Sequence, residues 1–264
     1  LYACHAPAQR TRAPASEFRA AWIATVDNID FPSRPGLSAS QLRAELDAIV
    51  TRARELRLNA LVFQVRPAAD ALYRSPLEPW SEWLTGQQGK APEGNFDPLA
   101  HLIERCHQNG MQLHAWFNPF RCAHPAGKGP AHESHVTQRA PQLCVRYGQF
   151  GWMDPGDPLA AKWSLAVIQD VVRRYDVDGV HVDDYFYPYP KDKLPFPDDA
   201  SYAAYRDGGG ELARDDWRRQ NIDTFVERMY RLVHDEKPHV MVGISPFGIA
   251  RPGVPAGIKA GVDQ

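Results

Sequence analysis

One stretch of the chain, Asp178-Gly-Val-His-Val-Asp-Asp-Tyr185, constrains the fold more than any other. Side chains of a β-strand alternate between two faces, so Val180 and Val182 share one face and His181 and Asp183 share the other. A parallel strand covered by helices is apolar on its helix side, so the polar face points into a site. Carboxylates at the C-terminal tips of barrel strands usually act in catalysis. A helix-capping Asp is the alternative, but the Tyr/Pro-rich segment that follows cannot start a helix.

The order of the predicted elements indicates a parallel α/β sheet. Strands are predicted near 18–25, 59–66, 111–118, 177–183 and 239–245. Helices are predicted over 40–56, 98–108, 159–174 and 215–236 from apolar periodicity and capping residues. Because this order implies right-handed crossovers between parallel strands, we expect the five strands to be neighbours in chain order.

Four of these strands carry polar or aromatic side chains on one face near their C-terminal ends. These side chains are Gln64 and Arg66, then His114, Trp116 and Asn118, then His181 and Asp183, and finally Ser245. A barrel enzyme gathers its site from the ends of several strands, whereas a doubly wound open sheet gathers it at one crevice. No glycine-rich phosphate loop follows a strand, which disfavours nucleotide binding.

The predicted fold is therefore an α/β structure of the (β/α)8 TIM-barrel type, truncated after about five strands. Long insertions at 67–97, 119–158 and 185–214 leave room for only five strands by residue 244. We expect truncation rather than a distorted small domain, because a five-stranded open barrel would expose apolar edges. The barrel domain is assigned to residues 17–264, without its C-terminal strands.

Composition excludes several classes of protein. The chain has 264 residues, 44% of them hydrophobic, and a net charge of −2, which suits one large α/β domain or two small ones. It lacks the basic stripe of a nucleic-acid-binding protein. No apolar run approaches the roughly 18 residues of a membrane helix. The motifs imply neither a metal nor another cofactor.

The first residues predict a lipid anchor. Leu1-Tyr2-Ala3-Cys4 resembles a bacterial lipobox, whose Cys becomes the lipidated first residue, and residues 1–16 are typical of a flexible tether. Cys106, Cys122 and Cys144 form no CxxC pair, so a zinc site is not expected. Cys106 falls in a helical pattern and is predicted to be core. A disulfide between the other two stays open.

The chain resembles the bacterial glycosyl-hydrolase-like family 10 over about residues 17–264. The matching motifs are Gln64-Val-Arg-Pro67, Asp70-Ala-Leu-Tyr73, Pro79-Trp-Ser81, Leu84-Thr-Gly86, Phe96-Asp-Pro-Leu99, His114-Ala-Trp-Phe-Asn-Pro-Phe-Arg121, Met153-Asp-Pro-Gly156, residues 176–190 and Gly243-Ile-Ser-Pro-Phe-Gly-Ile249. The resemblance implies a TIM-barrel glycosidase related to the α-amylase and α-galactosidase clans. It further implies an outer-membrane lipoprotein, facing the periplasm, that cleaves peptidoglycan strands lacking stem peptides. Cell-division or cell-wall proteins would be its partners.

Glycoside hydrolysis needs two carboxyl groups that flank the bond. The motif ending at Asp183 is similar to the α-amylase motif whose last Asp is the nucleophile. The chitinase signature has its acid two residues later, where this chain has Tyr185, so substrate-assisted hydrolysis does not carry over. The second carboxyl stays open between Asp184, loop residues and groups beyond residue 264. The loop candidates are Asp30, Asp70 and Asp154.

The remaining polar groups are assigned to substrate binding. Arg66 and Arg121 suit a substrate carboxylate such as the lactyl acid of a muramic residue, or else an ion pair with Asp70, Asp183 or Asp184. His114 and His181 suit sugar hydroxyls or the orientation of Asp183, or else are core histidines. Substrate contacts are also assigned to Gln64, Trp116, Asn118, Tyr185 and Ser245. Asn118 suits a 2-substituent, and the two aromatic rings suit stacking on pyranose faces.

Two other classes of function stay open. A barrel that binds glycans without turnover is one, because fold does not prove function and no general acid is obvious. A metal-dependent polysaccharide deacetylase with His114, His181 and Asp183 as ligands is the other, although these histidines lack a compact motif. Metal analysis would separate the deacetylase, and turnover of glycan strands would separate the first two classes.

Overall fold

The computed structural model describes residues 17–191 and 194–246. The predicted tether and Cys4 lie outside the described residues, as does the chain from residue 247 onward. The strands are β1 (Ala20–Ile23), β2 (Ala60–Arg66), β3 (Gln112–Phe117), β4 (Arg121–Ala123), β5 (Cys144–Tyr147), β6 (Phe150–Met153), β7 (Gly179–Val182) and β8 (Met241–Ile244). The helices are α1 (Ala39–Glu55), α2 (Glu82–Thr85), α3 (Pro98–Gln108), α4 (Val136–Arg139), α5 (Pro158–Arg174), α6 (Asp199–Asp207) and α7 (Arg214–Glu236). None of the described helices is long and apolar enough to cross a membrane.

The main sheet confirms the predicted strands and their order. Its five strands are parallel and lie in the order β1-β2-β3-β7-β8, so each predicted strand neighbours the next one in the chain. The order never reverses, as it would in a doubly wound sheet. This arrangement is that of consecutive strands of a (β/α) barrel, and the described part of the chain forms five of them.

The register of the sheet brings the polar strand ends into one row. Gln64 lies opposite Trp116, Trp116 opposite His181, and His181 opposite Gly243. The row faces away from the helices, and the Trp22 ring packs against it. Trp22 remains 38% exposed there and Met241 remains 42% exposed, so this inner face is only partly covered by the described residues.

Local sequence explains how the helices start and which face they bury. Ser38 caps α1 through a capping box with Gln41, while Asp97 and Asp157 cap α3 and α5, each just before a proline. The apolar faces of the helices cover the outer side of the sheet, where Leu61, Phe63, Leu113, Val180 and Val182 are buried. Helix α1 packs on α3, and α5 packs on α7.

The long insertions contain structure that the sequence did not predict. Residues 119–158 form a three-stranded antiparallel sheet with the order β4-β6-β5, and 185–214 contain α6. The β5–β6 hairpin turns at Gly148, whose φ of 59° is unfavourable for other residues. In the sequence, the tetrad Tyr147-Gly-Gln-Phe150 indicates this hairpin, because glycine at the first central position is typical of a two-residue hairpin turn.

The described cysteines carry free thiols. Cys106 is buried in α3 as predicted. Cys122 and Cys144 lie on the two strands that flank β6, and their side chains are hydrogen-bonded to each other. The structure therefore contains no disulfide between them.

A buried ion pair fixes the insertion after β2 to the barrel. The Arg66 guanidinium donates to the Glu78 carboxylate at 2.8 and 2.6 Å, and both side chains are excluded from solvent. Arg66 also donates to the carbonyl oxygens of Asn118 and Pro119 at 2.7 and 3.0 Å. Trp163 of α5 donates to Glu78 at 2.9 Å. The pair thus joins β2, the end of β3 and α5.

We expect Glu78→Ala to lower the free energy of unfolding by about 3–5 kcal/mol, because it leaves the Arg66 charge buried without a partner. Urea denaturation measures this loss. The control is Glu55→Ala, which breaks the exposed pair Arg52–Glu55 and should cost less than about 1 kcal/mol. Similar losses in the two variants would contradict the role assigned to the buried pair.

Candidate active site

Asp183 lies directly after β7 and is held by three N–H donors. Its Oδ2 atom accepts from Asn118 Nδ2 at 2.5 Å and from Trp116 Nε1 at 3.1 Å. Its Oδ1 atom accepts from the backbone N–H of Tyr185 at 3.0 Å. Only 7% of the residue is exposed. The structure therefore confirms that the polar ends of β3 and β7 meet.

The direction of these hydrogen bonds is set by backbone groups after β1. The N–H groups of Thr25 and Val26 donate to Gln64 Oε1 at 2.7 and 2.9 Å, so the Gln64 amide nitrogen faces the other way. That nitrogen donates to Asn118 Oδ1 at 2.5 Å, which leaves the Asn118 amide nitrogen for Asp183. Arg121 Nη2 also donates to Asn118 Oδ1, at 2.8 Å. These groups form a relay of hydrogen bonds that runs from the Thr25 and Val26 N–H groups through Gln64 to Asn118. Its last member, the Asn118 amide nitrogen, presents a donor to Asp183.

Burial and neighbouring donors act on the Asp183 carboxyl in opposite directions. Burial raises the pKa of Asp183 above its ordinary value, while the Tyr185 N–H, the Arg121 charge and the Asn118 and Trp116 donors work to lower it. Burial lowers the pKa of Arg121, and the Asp183 charge opposes that change. Arg121 donates from Nε to the Pro67 carbonyl at 2.8 Å, and its guanidinium lies over the Tyr185 ring at 5.7 Å.

Two predicted substrate contacts are corrected by the structure. Gln64 and Arg66 are completely buried, and their polar groups bond to protein atoms, so neither can touch a ligand in this structure. The ion-pair partner of Arg66 is Glu78, which is none of the three aspartates expected. Arg121 is also buried, at 6% exposure, and two of its N–H groups are used within the relay. These residues are placed to position Asn118 and Asp183.

His114 and His181, both predicted site residues, lie at different depths in the sheet. His181 Nε2 lies 3.0 Å from Ser245 Oγ, next to the row of strand ends. Burial, with a smaller contribution from His114, lowers the pKa of His181 to about 4. His114 sits one register row deeper, opposite Gly179, and packs against Phe18. A Cβ atom at Gly179 would lie 2.4 Å from the His114 ring, so this glycine makes room for it.

Asp184 lies at the edge of the same site. Strand β7 ends at Val182, so the alternation that would turn Asp184 away from Asp183 no longer applies. Asp184 is half-buried and accepts a hydrogen bond from the Tyr189 hydroxyl. The rings of Tyr185 and Tyr189 lie 4.8 Å apart beside it. Asp184 is therefore partly open to solvent, whereas Asp183 is enclosed.

The three loop carboxyl groups lie elsewhere. Asp30 is exposed and accepts from the Ala24 N–H at 2.8 Å. Asp70 is buried against Ser81 and His135, and burial raises its pKa. Asp154 lies in a cavity with Ser201, and burial raises its pKa as well.

The described part of the chain contains no group of metal ligands of the kind that a metal-dependent deacetylase needs. Within 17–191 and 194–246, no three His, Cys, Asp or Glu side chains are grouped so that they could hold a metal ion. Of the three expected ligands, His114 contacts Gln112 and Asp183 is bonded to N–H donors. His181 contacts Ser245.

Two solved structures that share the fold are glycosidases by name. The chain superimposes on an α-L-fucosidase isoenzyme 2 from Paenibacillus thiaminolyticus with a TM-score of 0.56 and 12% identity, covering 89% of this chain and 33% of that one. An α-galactosidase from Lactobacillus brevis gives a TM-score of 0.51 and 15% identity, covering 88% and 27%. At these identities the likeness shows the fold alone, which is that of a partial TIM barrel.

Sequence relatives are named glycosyl hydrolases. Glycosyl hydrolase YngK of Bacillus subtilis (strain 168) is 41% identical over 237 residues, which are 89% of this chain and 46% of the relative. Glycosyl hydrolase DigH of Escherichia coli (strain K12) is 32% identical over 262 residues, or 93% and 58%. The chain thus spans about half the length of these relatives. Residues 17–253 match the family model described as glycosyl hydrolase-like 10, and the chain belongs to that family.

Proposed function

We propose that the protein hydrolyses glycosidic bonds in peptidoglycan glycan strands, with Asp183 as the nucleophile. The main support for this proposal is that all three hydrogen-bond partners of the Asp183 carboxyl are N–H donors. A carboxyl that receives three N–H bonds and makes none in return is held as the anion, despite its burial. A buried anion at a barrel strand tip is suited to meet the positive charge of an oxocarbenium-like transition state.

The proposed reaction proceeds in two steps. A carboxylate oxygen of Asp183 bonds to the anomeric carbon while the glycosidic C–O bond breaks, and a general acid gives its proton to the leaving oxygen. Water then bonds to the anomeric carbon, its proton returns to the conjugate base, and the bond to Asp183 breaks. The relay keeps the nucleophile aligned for both steps.

We assign the acid and base role to Asp184. It is partly open to solvent, so a leaving group and water can reach it, and its hydrogen bond from Tyr189 fixes its carboxyl. Tyr185 is half-buried and supplies aromatic surface that suits the apolar face of a pyranose ring. Trp116 is buried against Trp22 and bonded to Asp183, so its role is to position that carboxylate. His181 and Ser245 suit sugar hydroxyls.

The choice of peptidoglycan is supported by the family resemblance and by the lipobox-like N-terminus. Arg66 is committed to Glu78, and Arg121 is buried and bonded to Pro67 and Asn118, so neither arginine is assigned to an acidic substituent such as a lactyl group. In this proposal the substrate lacks stem peptides, and cell-division or cell-wall proteins are partners.

We expect Asp183→Asn to lower kcat on peptide-free glycan strands roughly a hundredfold or more, because the transition state loses its charged partner. Binding should survive, since the amide keeps the shape and can still accept a hydrogen bond. Release of reducing ends measures turnover, and calorimetry measures binding. An unchanged kcat would remove Asp183 from the mechanism. Binding without turnover in the wild type would identify a glycan-binding barrel.

The comparison variant for this test is Asp184→Asn. Its turnover of glycan strands should also fall, but an aryl glycoside whose leaving group needs no protonation should recover much of the loss in the first step. Asp183→Asn should show no such recovery. Equal recovery in both variants would contradict the division of roles.

His181 should stay neutral down to about pH 4, the value to which burial lowers its pKa. The unfolded state takes up this proton near the ordinary value of 6.5, so the stabilising contribution is complete above that pH and is lost as pH falls toward 4. NMR titration of the ring measures the pKa. His181→Gln should lose less stability than the wild type between pH 7 and pH 4. A measured pKa near 6.5 would contradict the buried placement.

The lipobox-like start supports a proposed location in the cell envelope, anchored to the outer membrane and facing the periplasm. Cys4→Ser should remove the anchor and release the protein from the membrane fraction, because no acyl chain remains. Mass spectrometry of the mature N-terminus and membrane fractionation check this outcome. Equal membrane recovery of the variant, with no lipid mass on the wild type, would exclude lipidation.

A further inference from the structure

We propose that a cavity separate from the residues around Asp183 binds a neutral pyranose of the glycan strand. The cavity has a volume of about 570 Å³ and lies between the loop after β6, helix α6 and helix α7. Its polar and aromatic lining includes Gln142, Asp154, Ser201, Tyr205, Trp217 and Asn221. The assignment of this sugar to a peptidoglycan strand rests on the proposed function. The match between the cavity and a sugar does not.

Asp154 supplies a hydrogen-bond acceptor with capacity left over. Only 6% of the residue is exposed. Its Oδ1 atom accepts from the Gly156 N–H at 2.8 Å, and its Oδ2 atom accepts from Ser201 Oγ at 2.5 Å. A carboxylate has about four acceptor positions, so each oxygen can take a further bond from a ligand hydroxyl.

Aromatic rings form a rigid wall beside this carboxylate. Trp217 is 2% exposed, with Tyr202 at 5.2 Å and Tyr205 at 5.9 Å between ring centroids. A Cβ atom on Gly156 would lie 2.4 Å from the Trp217 ring, so glycine lets the loop approach the indole. A carboxylate, an amide and a hydroxyl beside aromatic rings match a sugar, which has hydroxyls on its rim and apolar C–H faces.

The charges of the cavity favour a neutral ligand. Asp154 and Asp157 both line it, so an anionic group would meet two negative charges. The nearby cations do not offset them, because Arg214 and Arg218 are bound to the buried Asp198 at 3.0 and 2.6 Å. Neutral sugars are therefore preferred over acidic ones.

The cavity is joined to the candidate active site by strand β6. Trp152 of β6 donates to the Phe186 carbonyl at 2.8 Å, and its ring lies 6.4 Å from that of Tyr185. Asp154 follows Trp152 by two residues. A sugar in the cavity would therefore contact the insertion 119–158, which also supports the loop after Asp183. We assign this sugar to a ring of the glycan that is remote from the bond that is cleaved.

The test is a substitution on helix α6 whose new side chain fills the cavity from an exposed position. Ala204 of α6 lines the cavity and is exposed, so Ala204→Trp should fold and occupy the space. The matched control is Ala203→Trp, an exposed neighbour on the same helix that is not part of the lining. Binding of chitotetraose is measured by calorimetry in the Asp183→Asn protein, whose turnover should be lower by about a hundredfold or more.

We expect Ala204→Trp to weaken chitotetraose binding at least tenfold and Ala203→Trp to leave it within twofold. Asp154→Asn, which keeps the shape of the side chain, should weaken it severalfold. Equal affinities for the two tryptophan variants would overturn the proposal. Equally tight binding of an acidic tetrasaccharide would overturn the preference for neutral sugars.

Failure of this proposal can be told apart from failure of the proposed function. If the wild type cleaves glycan strands and the two tryptophan variants bind chitotetraose equally, only the second site is wrong. If the wild type cleaves no glycan but Ala204→Trp still loses binding, the second site stands and the proposed hydrolysis is wrong.

Discussion

The hydrogen-bonded relay from the turn after β1 to Asp183 is the interaction on which the site depends. Two backbone N–H groups that can only donate fix the orientation of Gln64, which fixes Asn118, which in turn presents a donor to Asp183. The relay crosses from β1 to β7 in a buried environment, where each hydrogen bond is stronger and each unpaired group is more costly than in water. The fold therefore sets the electrostatic state of Asp183 through groups that never touch a substrate.

The insertions cover the barrel, and two of their residues also hold the members of this relay in place. The Arg66–Glu78 pair ties the loop after β2 to the end of β3, where Asn118 begins its turn. Arg121, at the start of β4, bonds to Pro67 and to Asn118 and lies over Tyr185. Two arginines thus hold the strand ends together, one with its charge matched by Glu78 and the other facing the carboxylate of Asp183.

Strand alternation predicted much of this arrangement because it depends on local geometry. The period of two placed Trp116, His181 and Asp183 on one face, and the β-then-α order made their strands neighbours. The partners of buried charges were not predictable in this way. Glu78 lies in an insertion without periodicity, so its pairing with Arg66 depends on how that segment folds back. For the same reason the sequence could not separate the residues that position Asp183 from those that face a ligand.

We propose that the Asp183 carboxylate, and no other group, meets the anomeric carbon. Azide rescue of Asp183→Gly tests this role, because azide can occupy the space that the carboxylate leaves. If Asp183 is the nucleophile, azide restores cleavage of an activated aryl glycoside and yields a glycosyl azide whose anomeric configuration is opposite to that of the substrate. A glycosyl azide of unchanged configuration would assign Asp183 to acid and base chemistry instead, and no rescue at all would contradict its place at the anomeric carbon.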